Sequence, residues 1–154
     1  RSSAKTLVGA DLSAGMLDKA FAIVPREEIF QATGLQFMEF NSLYQLLAMQ
    51  QAGSPILDVA KTFLMIPDLF HWLLTGEKAN EFTNATTTQF LDPRSGQWAT
   101  HLLDRFGIPT NILGPIVPPG TKLGKVHRFA VRPFGRGGRS SHGTPRTGAV
   151  RAAN

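Results

Sequence analysis

Apolar positions along the chain recur at helical spacing in short runs, each closed by glycine or proline. Met16, Leu17, Ala20 and Phe21 share one face of a first helix, with Asp11 or Ser13 as candidate cap. Pro25 opens a second, with Glu27 and Glu28 in its first turn, where the positive end of the helix dipole favours them, and Gly34 stops it. A third carries Leu43, Leu46, Leu47 and Gln50, capped by Asn41 or Ser42 and ended by Gly53. Ser54-Pro55 restarts a helix at once, with Ile56, Val59, Ala60, Phe63 and Leu64 as its apolar face. Pro67 and Asp68 begin a fifth, whose Phe70, Leu73 and Leu74 fall together before Gly76. The last holds Trp98, Leu102, Leu103 and Phe106 and ends at Gly107.

Residues 81–91, between the last two helices, are rich in Thr and Phe, which predicts a strand. On it Asn84, Thr86 and Thr88 alternate, so their polar groups would face one side. Two readings stay open: a cleft wall that hydrogen-bonds a ligand, or a strand chosen for β propensity. Residues 112–121, interrupted by proline and glycine, read as a loop.

Composition adds limits. A length of 154 residues suits about one domain with a core of its own, and 42% hydrophobic residues is a globular value. No apolar run approaches the 18 or so residues of a membrane span. The absence of Cys rules out disulfides and thiolate metal ligands within the chain and fits a reducing, cytoplasmic setting. The first residue is Arg1 and no secretory signal follows, so a piece of a longer chain is expected, and the Asn84-Ala85-Thr86 glycosylation pattern is read as coincidence. His71 and His101 lie on separate helices without metal-site spacing, Asp68 and Asp92 read as cap and turn residues, and no protein-built metal site is expected.

The net charge of +5 is unevenly spread. All 11 acidic residues lie at or before Asp104, whereas residues 127–154 hold six Arg and no acid. The basic character therefore belongs to the tail, and two segments are expected: a domain over residues 1–126 and an Arg/Gly-rich segment, disordered or read out of frame, over 127–154.

Two stretches carry a resemblance. Leu74-Thr75-Gly76, Thr83-Asn84-Ala85-Thr86, Asp92 and Trp98, together with the Gln-Phe-Met-x-Phe-Asn-Ser-Leu-Tyr-Gln run at 36–45, resemble the FGGY carbohydrate kinases, and rhamnulokinases within them. The resemblance implies an α/β fold, part of an actin-like, ribonuclease-H-like N-terminal domain in which helices dominate and strands are few. It implies transfer of the γ-phosphoryl of ATP, with Mg2+, to the 1-hydroxyl of L-rhamnulose, and a separate C-terminal ATP domain. Gln36, Phe37, Asn41, Asn84 and Thr86 become candidate sugar-binding residues, with Phe37 against the apolar face of the sugar. The competing reading makes Phe37, Met38 and Phe40 core and Asn41 a helix cap.

Departures from the family pattern are specific. The Arg-Asp-x-Arg-Thr motif expected before Gly15 is replaced by residues 9–13, Gly-Ala-Asp-Leu-Ser, without either arginine. In place of the His-Asp-Thr that carries the catalytic base stand His142, Gly143 and Thr144, and glycine accepts no proton. This chain alone is accordingly expected to have no kinase activity. A different FGGY ketose or polyol kinase is the alternative sugar reading. A non-enzymatic, RNA-binding role for the Arg136-Gly137-Gly138-Arg139 segment is the alternative of another class.

Overall fold

A computed structural model describes residues 15–127. The expectations placed on Asp11, Ser13, residues 9–13, Arg136 to Arg139, and His142, Gly143 and Thr144 lie outside that range.

Helix α1 (Met16–Ile23) buries Met16 and Ala20, and its cap position is Gly15 in a left-handed conformation at φ 84°. Helix α2 (Arg26–Thr33) follows Pro25 and ends on Gly34 at φ 64°, whose N–H donates to Phe30 O. Both the proline start and the glycine stop are as expected. Helix α3 (Ser42–Gln51) supplies the largest share of the core, with Leu43, Tyr44, Leu46 and Leu47 buried. Together with Val24, Ile29, Phe90, Leu102, Leu103 and Phe106 these form one apolar cluster. Each buried Leu or Phe contributes about 1.5–3 kcal/mol of transfer free energy.

Helix α4 (Pro55–Val59) is capped by Ser54, whose Oγ accepts from Ile56 N. The apolar face read from its spacing is overturned. The helix stops at Val59, Leu57 is its buried residue, and Ile56 and Val59 are exposed. Phe63 leaves helical geometry to bridge Leu113, with its N–H on Ile112 O at 2.7 Å. There its ring packs edge-on against Phe90 and Trp98, at 5.5 and 6.4 Å between centroids.

Helix α5 (Ile66–Thr75) forms between Pro67 and Gly76 as read, yet its apolar face points to solvent and its one buried residue is Asp68. The strand expected over 81–91 is a second correction. Strand β1 (Asn80–Glu81) is followed at once by helix α6 (Phe82–Thr86). The Glu81 carboxylate accepts from the N–H groups of Thr83 and Asn84, and the hydroxyls of Thr86, Thr87 and Thr88 donate to carbonyls three residues back. A cap and local hydroxyl bonds thus outweigh the β propensity of threonine. Asn84, Thr86 and Thr88 consequently do not alternate along a strand.

Strands β2 (Leu91–Asp92) and β3 (Gln97–Trp98) form an antiparallel pair, so Trp98 precedes helix α7 (Thr100–Arg105) instead of belonging to it. Strand β4 (Ile116–Val117) emerges from the presumed loop and pairs in parallel with β1, Asn80 beside Ile116 and Glu81 beside Val117. Arg105 at the end of α7 donates to both carboxylate oxygens of Glu28 and to Ile23 O, tying α7 to the first two helices. Among the described residues no helix is long and apolar enough to cross a membrane.

Candidate functional site

The eight residues between α2 and α3 carry most of the longest stretch of the sequence resemblance, and their side chains divide into two sets. Gln36, Met38 and Phe40 are exposed, whereas Asn41 is buried. Met38 and Phe40 are therefore not core, contrary to the competing reading of the sequence. Nor does Asn41 cap α3 with its side chain. Its Nδ2 donates instead to Gln36 O at 3.2 Å and to Gln89 Oε1 at 2.6 Å. Gln89 in turn donates from Nε2 to Leu35 O and Thr33 Oγ1. A buried amide leaves no donor unused when partners are in reach, and here the tertiary partners outbid the local cap.

Phe37 turns back over the first two helices. Its ring meets Phe21 edge-on at 5.1 Å, and the Arg26 guanidinium lies 4.8 Å from its centroid. Arg26, Glu27, Phe30, Gln36 and Phe37 together line an open cleft of about 440 Å³. An aromatic face beside an amide, a guanidinium and a carboxylate is the combination that suits a polyol, with C–H groups on the ring and hydroxyls on the polar groups. A groove of about 470 Å³ also lies between α4 and the end of α7, lined by Asp58, Lys61, Asp104 and Asn111 among others. It holds none of the motif residues, so the smaller cleft is the better candidate.

The other two candidates sit elsewhere. Asn84 donates from Nδ2 to Asp68 Oδ2 at 3.3 Å, and Thr86 donates to Thr83 O at 2.7 Å. The structure thus brings Gln36, Phe37 and Asn41 together around one loop and commits the donors of Asn84 and Thr86 to α5 and α6.

Asp68, read from the sequence as a helix-end residue, is instead a tie between elements. Its Oδ1 accepts from Glu81 N at 3.1 Å. Burial pushes its carboxyl above the ordinary aspartate range, against the opposing bonds from Glu81 N and Asn84 and the nearby His71. Glu81 goes the other way: partial burial raises it, but the combined bonds from Thr83 and Asn84 hold it below the usual glutamate range. Asp92, half-buried at the end of β2, is lowered by the Arg94 N–H and then by the Arg94 and Ser95 side chains. It is the turn residue the sequence indicated.

Arg26, Gln89 and the Asp68–Glu81 pair were not singled out by the sequence as parts of a site. A polar residue set between the Thr run and Phe90 was the available signal for Gln89. Among the described residues no three His, Asp or Glu side chains converge as a metal site.

Comparison with known proteins places the chain in a family. Residues 13–137 match the FGGY family of carbohydrate kinases, N-terminal domain. The rhamnulokinase of Halalkalibacterium halodurans is 40% identical over 121 residues, 79% of this chain and 26% of its own length. That of Pectobacterium carotovorum is 45% identical over 111 residues, and that of Oceanobacillus iheyensis 38% over 112, covering 72% and 73% of this chain and 22% and 24% of theirs. The chain spans about a quarter of the length of these relatives. Among solved structures, xylulose kinase from Rhodospirillum rubrum superposes with a TM-score of 0.68 at 23% identity, covering 76% of this chain and 24% of that one. Gluconate kinase from Lactobacillus acidophilus gives 0.67 at 21%, covering 75% and 24%. These likenesses establish an α/β fold with more helix than strand, and the family match and the sequence identities lead to one statement: the chain belongs to the FGGY family of carbohydrate kinases.

Proposed function

We propose that this chain is part of the sugar-side domain of an ATP-dependent kinase that phosphorylates L-rhamnulose at its 1-hydroxyl. The observation that carries the reading is 38–45% identity to three rhamnulokinases over more than two thirds of the chain. Gln36 and Phe37, on the cleft beside Arg26, are the sugar-facing pair, with Asn41 acting from behind the loop. Asn84 and Thr86 contribute through the α5–α6 junction, since their donors are already engaged. ATP and Mg2+ are assigned to the separate ATP domain that the family resemblance implies. A cytoplasmic setting follows from the use of ATP and fits the absence of Cys.

A second sugar reading is kept because the solved structures of like fold act on other substrates: by their names, xylulose and gluconate. The test is sugar-dependent ADP release by a polypeptide that carries this segment in a full-length kinase, assayed against a panel of ketoses and polyols. Preference for L-rhamnulose supports the assignment. Preference for another sugar overturns the substrate, and no sugar-dependent release with any of them overturns the kinase reading. The 154-residue chain alone is expected to release none.

A further inference from the structure

Among the described residues, one that is not glycine adopts a left-handed backbone: Gln89, at φ 68°. A side chain with a Cβ disfavours that conformation, and it persists only where the surroundings impose it. The surroundings here are well defined. Thr88 O accepts from Leu43 N at 3.0 Å, and Thr88 Oγ1 both donates to Ala85 O and accepts from Phe90 N. The turn is thereby fixed on both sides of Gln89, and the residue is fully buried.

All of its amide is used. Oε1 accepts from Asn41 Nδ2 at 2.6 Å, and Nε2 donates to Leu35 O at 2.9 Å and Thr33 Oγ1 at 3.3 Å. Thr33 closes α2, Leu35 begins the loop and Asn41 ends it, so one side chain fastens both ends of that loop from beneath. Asn41 passes the constraint on to Gln36 O. The outward side chains of the loop, Gln36, Met38 and Phe40, supply little apolar anchorage of their own. Phe37, packed on Phe21 and against the core, is the loop's apolar anchor, and the hydrogen bonds below fix its two ends.

We propose that Gln89 is a positioning residue for sugar binding: by pinning the 35–41 loop it sets Gln36 and Phe37 in the cleft beside Arg26. The proposal rests on the assignment of the sugar to that cleft. A glycine at 89 would satisfy the backbone better, so the strain is retained for the side chain.

The test uses the whole 154-residue chain, with amide hydrogen exchange and an L-rhamnulose titration both followed by NMR. Gln89→Gly relieves the backbone and deletes the amide, and Gln89→Leu keeps the bulk and deletes only the amide. Both delete the three hydrogen bonds of the amide and are expected to speed exchange at residues 35–40 by about tenfold or more, while α7 amides keep their protection. L-rhamnulose-dependent shifts at Gln36 and Phe37 weaken by a similar factor, about tenfold. Asn41→Ala gives the same pattern, and combining it with Gln89→Leu adds little. Unchanged exchange at 35–40 in both Gln89 variants overturns the proposal. Faster exchange in the variants, with no sugar-dependent shift at Gln36 or Phe37 in the unsubstituted chain, overturns the cleft assignment and leaves Gln89 as the residue that sets the loop.

Discussion

Asp68 on α5 and Asn84 on α6 meet side chain to side chain, Oδ2 accepting from Nδ2 at 3.3 Å, while the other carboxylate oxygen takes the Glu81 N–H. A buried carboxylate thus connects a helix whose apolar face is outside to the motif that follows it. Asp68→Ala is expected to cost about 1–3 kcal/mol, because it strands the Glu81 and Asn84 donors, and urea denaturation measures it. Asp68→Asn keeps an acceptor for Glu81 N–H and costs less.

The pH dependence of that tie has a definite sign. Burial raises the folded-state pKa of Asp68 above the ordinary 3.8. Its contribution is therefore complete below 3.8 and is lost as pH rises through the folded value. Asp68→Asn removes this fall, which denaturation midpoints collected from acid to neutral pH will show.

Glu81 behaves in the opposite sense. Its hydrogen bonds, overcoming the effect of burial, hold it below the ordinary 4.5. Its stabilisation is present above 4.5 and disappears as pH falls through the folded value. Glu81→Ala removes the α6 cap at about 1 kcal/mol near neutral pH and less in acid, a difference visible in melts at the two pH values.

Core and surface contacts should separate cleanly. Phe90 is fully buried and touches the rings of both Phe63 and Trp98, so Phe90→Ala is expected to cost about 3–5 kcal/mol. The Arg105–Glu28 pair is well oriented but nearly half exposed on each side, so Arg105→Ala should cost no more than about 1 kcal/mol and less in high salt. Chemical denaturation of the two variants at low and high salt makes the comparison.

The α5 face predicts self-association. Ile66, Phe70, Leu73 and Leu74 are each 40–58% exposed on one helix. Phe70→Glu with Leu73→Lys is expected to lower the apparent mass at high concentration in sedimentation runs and to leave the circular dichroism of the fold unchanged.

Helix positions were legible from the sequence wherever a proline or glycine punctuated a periodic run, as at Pro25, Gly34, Pro67 and Gly76. Periodicity did not say which face would be buried. The α5 stripe was read correctly as a stripe but lies in solvent, because a moment describes one helix and burial depends on what is packed beside it. The Thr-rich run misled because its propensity was read without the Glu81 cap ahead of it. Of the candidate site, the 36–41 motif was legible, and Gln89 was not: its polar side chain beside Phe90 was visible, but its partner at Asn41, 48 positions away, was not. Ile116 and Val117 were hidden in a similar way, as two residues among prolines and glycines whose partner lies well upstream.

The parallel pairing of β1 with β4 sets a timetable for synthesis. No tight turn joins parallel strands, so α6, the β2–β3 pair and α7 must all be gathered before Asn80 and Glu81 meet Ile116 and Val117. On a ribosome moving at about 5–20 residues per second, the first strand is exposed for roughly 2–7 s before its partner is made. Throughout that interval the apolar stripe of α5 and an unpaired strand edge are exposed together, so the nascent chain presents more adhesive surface than the finished one.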